Sequence, residues 1–126
     1  MIVPSNGIPH LYGALILYFP VSVSENSIRF FLKSYVEYTE YPDKNCVEVT
    51  YREVTNIFSW EIDSLLDVLF SNCDLGAVTN ALSALSGSAL LDISFTHHEK
   101  FPTLIFSGKN MDIIHHLKAN ISIDPY

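Results

Sequence analysis

The sequence predicts an α+β protein in which a single layer of mixed or antiparallel sheet is packed by helices on one side. Strand-like and helix-like segments follow one another in the order β-α-β-β-α-β-β-α-β, and strands that are consecutive along the chain are typical of this class. With 126 residues, of which 48% are hydrophobic, the chain is long enough to bury a core. It contains no linker, low-complexity tract or repeat, so residues 1–126 are predicted to form a single domain.

An apolar run at residues 11–19 predicts a buried central strand whose apolar side chains point to both faces of the sheet. The first 24 residues carry no Asp, Glu, Lys or Arg, which raises the question of a signal peptide or membrane span. However, Met1 is not followed by basic residues, three prolines interrupt the stretch, and nine apolar residues are too few to cross a bilayer. We therefore expect a cytoplasmic protein without membrane contact.

A helix is predicted after Pro20, with Ser22 or Ser24 as its N-cap and Glu25 at its start. Apolar side chains then recur at the spacing of one helix face, namely Ile28, Phe31, Leu32, Tyr35 and Val36. The opposite face carries Arg29, Lys33 and Glu37. The aromatic content of this segment leaves a strand as the alternative.

Proline, aspartate and asparagine at residues 41–45 predict a turn. After it, Val47, Val49 and Tyr51 alternate with polar residues, which is the pattern of a strand with one solvent-facing side. Residues 57–60 are a candidate continuation of the sheet.

Leucine-rich segments with helical spacing follow at residues 62–69 and 75–85. They predict either two short helices or one long helix with a break at residues 72–74. Asp74 is a suitable N-cap for the second helix, and Gly87 is a suitable stop signal.

The C-terminal part of the chain predicts a hairpin, a helix and a last strand. Apolar residues at 89–95 and 101–106 flank the polar segment 96–100, which favours two antiparallel strands joined by a turn. Residues 110–118 have helical spacing, and residues 121–124 are predicted to form a short closing strand.

Motifs that carry catalysis or bind a nucleotide cofactor are not recognisable. The five glycines are too far apart for a phosphate-binding loop, and no serine lies in a nucleophile elbow. Cys46 and Cys73 are predicted to be ordinary thiols, and the charge of Asp74 disfavours a reactive thiolate at Cys73. The net charge of −7 repels nucleic acid and anionic lipid. We therefore predict a protein that is not an enzyme and binds no cofactor, nucleic acid or membrane.

Histidines provide one alternative, a metal-dependent hydrolase. The candidate ligands fall in a turn and on a helix, and they are His97, His98, Glu99, Asp112, His115 and His116. Successive helical residues diverge by about 100°, so on the helix only Asp112 and His116 share a face. The spacing matches no zinc motif, and no metal is predicted.

The surplus of acidic residues is concentrated in one segment. Eight acidic residues from Glu37 to Asp67 are opposed only by Lys44 and Arg52, which places −6 of the net charge of −7 there. A solvated face that maintains solubility is one interpretation. Aromatic residues in the same segment favour the other, a protein-binding patch. The predicted partner-binding residues are Glu37, Glu40, Asp43, Glu48, Glu53, Glu61 and Asp63.

The second half of the chain resembles a known group of proteins. Ser59-Trp60-Glu61 is followed by a leucine-rich helical stretch, a strand hairpin, a short helix and the ending Asn120-Ile121-Ser122-Ile123-Asp124-Pro125-Tyr126. This arrangement is similar to small bacterial immunity proteins of contact-dependent growth inhibition and other polymorphic toxin systems. The resemblance implies a cytoplasmic inhibitor that binds a basic toxin domain, in many systems a nuclease. The remaining alternative is a homo-oligomeric structural or adaptor protein without a toxin partner, and a homodimer is compatible with either.

Overall fold

The computed structural model describes residues 11–32, 37–55, 62–95 and 105–125. In chain order the elements are β1 (Leu11–Pro20), α1 (Glu25–Phe31), β2 (Glu37–Tyr41), a 3-10 turn (Pro42–Lys44), β3 (Cys46–Thr55), α2 (Ile62–Ser71), α3 (Leu75–Ala84), β4 (Ser88–Phe95), α4 (Gly108–Leu117) and β5 (Asn120–Pro125). Strands and helices are both present in quantity, so the predicted α+β class is confirmed. Within these segments, no helix has the length and apolarity needed to cross a membrane.

The five strands form one mixed sheet in the order β2-β3-β1-β4-β5. All neighbouring strands are antiparallel except β4 and β5, which are parallel and are connected through α4. A parallel pair requires such a crossover, because the chain must return to the same end of the sheet. The strand predicted at residues 11–19 is β1, and its central position is confirmed.

The predicted hairpin between residues 89–95 and 101–106 is wrong. β4 has β1 on one side and β5 on the other, so both of its edges are occupied. Ile105 and Phe106 lie in an irregular segment before α4, and residues 96–104 of the predicted hairpin fall outside the described residues.

Helices pack on one face of the sheet, as predicted. The odd-numbered side chains of the three inner strands point into the core, and Leu15, Val49 and Leu91 are fully buried there. Each described helix contributes buried side chains to the same cluster, for example Ile28, Leu66, Val78 and Ile114. The core therefore lies between the sheet and a single helical layer.

β1 is not buried on both faces, which corrects the prediction for residues 11–19. Its odd-numbered side chains are buried, whereas Tyr12, Ile16 and Tyr18 on the other face are only half-buried. The core cluster shared by the described helices lies on the opposite side of the sheet.

The first helix begins where it was predicted but ends earlier. Ser24 is its N-cap, and its hydroxyl oxygen accepts a hydrogen bond from the backbone N–H of Ser27 at 3.2 Å. The helix ends at Phe31 because the following residue, Leu32, has an extended backbone (φ −107°, ψ 99°). Tyr35 and Val36, predicted on its apolar face, lie outside the described residues.

Glu37 was predicted on that helix, and this is wrong because it opens β2. Residues 37–41 alternate in side-chain direction and pair with β3 from Glu37↔Thr50 to Tyr41↔Cys46. The predicted turn is confirmed as the 3-10 turn between these strands, and Asn45 closes it in the left-handed conformation (φ 55°). β2 and β3 are therefore a hairpin.

Residues 57–60, the candidate continuation of the sheet, fall outside the described residues.

Two separate helices, α2 and α3, occupy the leucine-rich region. Asp74 caps α3 as predicted, because its Oδ1 accepts a hydrogen bond from the N–H of Ala77 at 3.1 Å. The α3 helix ends at Ala84, and the N–H of Gly87 donates to the carbonyl oxygen of Leu82 at 2.9 Å, which satisfies a helix-end acceptor.

Replacing Gly87 by alanine should destabilise the fold. A Cβ at Gly87 would lie 2.6 Å from Cε1 of Phe19 and 2.9 Å from Cδ2 of Leu82, and Phe19 is buried in the core. We expect Gly87→Ala to lower the free energy of unfolding by about 1–3 kcal/mol, measured by urea denaturation. Gly108→Ala is the matched control, since a Cβ there meets nothing within 4 Å. Equal stability of the two variants would contradict this packing.

Candidate functional site

The even-numbered residues of β1, β3, β4 and β5 and the odd-numbered residues of β2 share the face of the sheet that points away from the helices. The registers place them on one side, because directly paired residues project to the same face. We call this surface the outer face. On it, the predicted binding residues Glu37 and Glu48 meet other acidic and aromatic side chains, so it is the candidate site.

The seven predicted partner-binding acids do not form one surface. Glu37 and Glu48 lie on the outer face. Glu40 projects to the opposite side of β2 and accepts a hydrogen bond from the hydroxyl of Tyr38 at 3.2 Å. Asp43 is exposed in the 3-10 turn. Asp63 is on α2, whereas the side chain of Glu53 and the whole of Glu61 lie outside the described residues.

Asp63 connects α2 to α4. Its Oδ1 accepts hydrogen bonds from Nδ2 of Asn110 at 3.0 Å and from the N–H of Ser107 at 2.9 Å. Nδ2 of Asn110 also donates to Oδ1 of Asp67 at 3.1 Å, and Lys109 forms an ion pair with the same carboxylate at 3.0 Å. The geometry gives Asp63 a structural role at the start of α4, where Ser107 is the N-cap.

These hydrogen bonds hold the pKa of Asp63 below its usual range, with Asn110 as the largest cause and the N–H of Ser107 next. A carboxyl whose pKa is lowered on folding stabilises the fold above its unfolded pKa, about 3.9 for an aspartate. That contribution is fully present at neutral pH. It is lost as the pH falls through the lowered value.

Removing the amide of Asn110 should weaken the attachment of α4 to α2 and destabilise the fold. Asn110 is fully buried, so its replacement removes hydrogen bonds from two carboxylates and leaves them without that donor. We expect Asn110→Ala to lower the free energy of unfolding by about 1–3 kcal/mol at pH 7. Asn80→Ala is the control, because Asn80 is exposed on α3 and alanine favours helix. If thermal or urea denaturation gave the same stability for both variants, the network would not hold these helices together.

The outer face unites four acidic residues that are distant in sequence. They are Glu37, Glu48, Asp92 and Asp124. The one described basic residue among them, Arg52, donates to both carboxylate oxygens of Glu37, with distances of 3.0 and 3.1 Å. The described charges of this face therefore sum to −3.

Asp92 and Asp124 were not among the predicted binding residues. The alternation of residues 88–95 placed Asp92 on the side away from the core, but only the strand order brings β4 within two strands of Glu48. The alternating pattern of β4 was therefore enough to predict that Asp92 faces away from the core. The sequence does not show that β1 pairs with both β3 and β4, which is what brings Asp92 onto the same face as Glu48.

Apolar and aromatic side chains occupy the centre of the outer face. Ile16 lies between Thr50 of β3 and Leu90 of β4, and Tyr18 lies beside Glu48. Ile16, Tyr18 and Leu90 are half-buried. An apolar centre with a charged rim is the anatomy of many protein-binding surfaces.

Negative charge acts on the ring of Tyr18 from both sides. Burial raises the pKa of its phenol above the usual value of about 10, and the charges of Glu48 and Asp92 raise it further. Both carboxylates oppose formation of the phenolate. This electrostatic coupling places Tyr18 within the field of acids from two different strands.

Neutralising either acid should lower the pKa of Tyr18. We expect Glu48→Gln to produce the larger decrease and Asp92→Asn a smaller one, because Glu48 is the stronger of the two charge effects. The measurement is an NMR titration of the tyrosine ring carbons. Asp112→Asn, on α4 in the helical layer, should leave the pKa of Tyr18 unchanged. An unchanged pKa in all three variants would show that the outer-face acids do not act on this ring.

The cysteines are free thiols. Cys73 is buried, and its Sγ donates to the carbonyl oxygen of Leu69 at 3.2 Å. Burial raises the pKa of this thiol to about 12, so it stays protonated at neutral pH. Desolvation is therefore the cause of its weak acidity, rather than the neighbouring aspartate. Cys46 is half-buried on the outer face.

The histidine-based metal alternative stays a prediction. Asp112, His115 and His116 are exposed on α4, and two of them line a shallow cavity of about 270 Å³ with Leu75, Ile113 and Leu117. His97, His98 and Glu99 lie outside the described residues. In the part of the chain that the structure describes, no group of three or more His, Cys, Asp or Glu side chains could hold a metal ion.

Comparison with protein-family models, curated proteins and solved structures finds no match to this chain. The resemblance to immunity proteins therefore stays a prediction. Two of the residues that carry it, Trp60 and Tyr126, lie outside the described segments.

Proposed function

We propose that this protein is an immunity protein that binds a basic toxin domain and neutralises it without chemistry of its own. The observation that carries the proposal is the outer face, where three carboxylates beyond the Glu37–Arg52 pair share one side of the sheet with Ile16, Tyr18 and Leu90. A basic protein would find both opposite charge and apolar contact there.

A nuclease toxin is the partner class that suits this charge. Nucleases bind phosphate, so their active clefts carry basic side chains, and an acidic surface can compete with nucleic acid for that cleft. Opposite charges also accelerate the encounter of two proteins, which matters when an inhibitor must act before the toxin reaches its substrate.

The neighbouring gene provides the first test. The proposal predicts a large secreted protein with a variable C-terminal domain encoded immediately upstream. Expression of that C-terminal domain should arrest growth, and co-expression of this chain should restore it. Growth arrest that persists despite co-expression and matched expression levels would contradict the proposal.

Association with the toxin domain should depend strongly on salt. We expect the association rate constant to fall at least about tenfold between low and high ionic strength, because screening removes long-range attraction between the two surfaces. Stopped-flow mixing at several salt concentrations measures it, and the dissociation rate should change much less. An association rate that is independent of salt would exclude an electrostatically steered inhibitor.

A homo-oligomeric adaptor is the rival that a specific observation favours. Ile121 and Ile123 of the edge strand β5 are 38% and 39% exposed, and edge strands with exposed apolar side chains can pair with another chain. A molecular mass in solution that rises with protein concentration, without any partner, would support this rival. A constant monomer mass would remove it.

A further inference from the structure

We propose that the toxin partner docks on the outer face, with two basic side chains placed against Glu48 and Asp92 and an apolar side chain between them on Ile16 and Leu90. This inference rests on the proposed function, and it specifies the surface, the chemistry and the spacing of the partner's contacts.

Glu48 and Asp92 are the acids of this face whose carboxylates have the fewest hydrogen-bond and ion-pair partners among the described residues. Glu37 is already bound by Arg52 through two hydrogen bonds, and Asp124 accepts a hydrogen bond from the hydroxyl of Ser122 at 3.0 Å. Among the described residues, Asp92 forms no hydrogen bond or ion pair, and Glu48 accepts one long hydrogen bond, from the hydroxyl of Thr50 at 3.5 Å. The charge of Arg52 acts on both carboxylates, but its hydrogen bonds go to Glu37. These two carboxylates have the most capacity to accept a partner's charge.

The sheet register fixes the distance between the two acids. Glu48 is paired with Tyr18 on β1, and Asp92 is paired with Ala14 on the other side of the same strand. Neighbouring strands are about 4.8 Å apart and successive residues about 3.4 Å, so the two α-carbons are about 17 Å apart. Ile16 lies midway between Ala14 and Tyr18 along β1, so the apolar contact falls between the two charges.

A basic protein fits this surface better than the other candidate occupants do. A second copy of the chain would bring the same acids against one another, and like charges across an interface are unfavourable. Nucleic acid would be repelled for the same reason. Arginine suits the sites best, because its planar guanidinium can bind a carboxylate through two hydrogen bonds.

The docking surface can be mapped without the natural partner. The probe is a synthetic peptide that carries two arginines separated by an apolar segment long enough to span about 17 Å in extended conformation. It is titrated into the 15N-labelled full-length protein at physiological ionic strength. We expect amide chemical shifts to change at residues 14–18, 48–52 and 90–94, and to stay constant on α3 and α4.

Matched variants then separate specific contact from general charge. Asp92→Asn should weaken binding of the peptide about two- to fivefold, the range expected for loss of one exposed ion pair. Asp112→Asn removes the same charge from an exposed position on α4 and should leave the affinity unchanged. Shifts concentrated on the helices, or equal loss of affinity in both variants, would overturn the docking surface.

The same pair of positions distinguishes failure of the surface from failure of the function. If co-expression protects cells and Asp92→Lys abolishes protection while Asp112→Lys does not, both proposals are supported. If neither substitution affects protection, the protein is an immunity protein that uses another surface, and the docking proposal is wrong. If the peptide binds the outer face but no protection occurs, the surface stands and the immunity function is wrong.

Discussion

The packing of α2 across β1 decides how the rest of the molecule is arranged. Leu65 of α2 approaches β1 so closely at Gly13 that a Cβ there would lie 3.1 Å from its Cδ2. Because side chains alternate along a strand, covering the odd-numbered side of β1 commits the even-numbered sides of β1 and of its two neighbours, β3 and β4, to the outer face. One helix–strand contact thus sets which acids of the sheet are available to a partner.

The set of residues on the outer face is determined by the order of the strands in the sheet, more than by the sequence of any one segment. Glu48 lies on β3, in a hairpin near the middle of the chain, whereas Asp92 lies on β4, which follows α2 and α3 in the sequence. Pairing of β1 with both β3 and β4 brings these residues onto one surface around Ile16. A mutation in the core beneath β1 that shifts the strands would therefore change the relative positions of Glu48 and Asp92, even though it removes no surface charge.

The sequence predicts structure best where one residue decides it locally, whereas it does not show which strands pair. The sequence predicts Asp74 as one helix cap and either Ser22 or Ser24 as the other, and the structure shows that Asp74 and Ser24 accept hydrogen bonds from backbone N–H groups nearby in sequence. Glu37 was placed on a helix because its local pattern fits either element, and only pairing with β3 settles it. Asp63 has the same charge as Glu48, yet burial of Asn110 beside it makes it structural. Such distinctions depend on long-range contacts.

Carboxyl footprinting of the complex tests the central claim most directly. A carbodiimide and an amine label exposed carboxylates, and mass spectrometry compares their labelling with and without the toxin domain encoded by the neighbouring gene. The acidic outer face predicts that labelling of Glu48 and Asp92 falls on binding, while labelling of Asp112 on α4 is unchanged. Protection of Asp112 with undiminished labelling of Glu48 and Asp92 would contradict it.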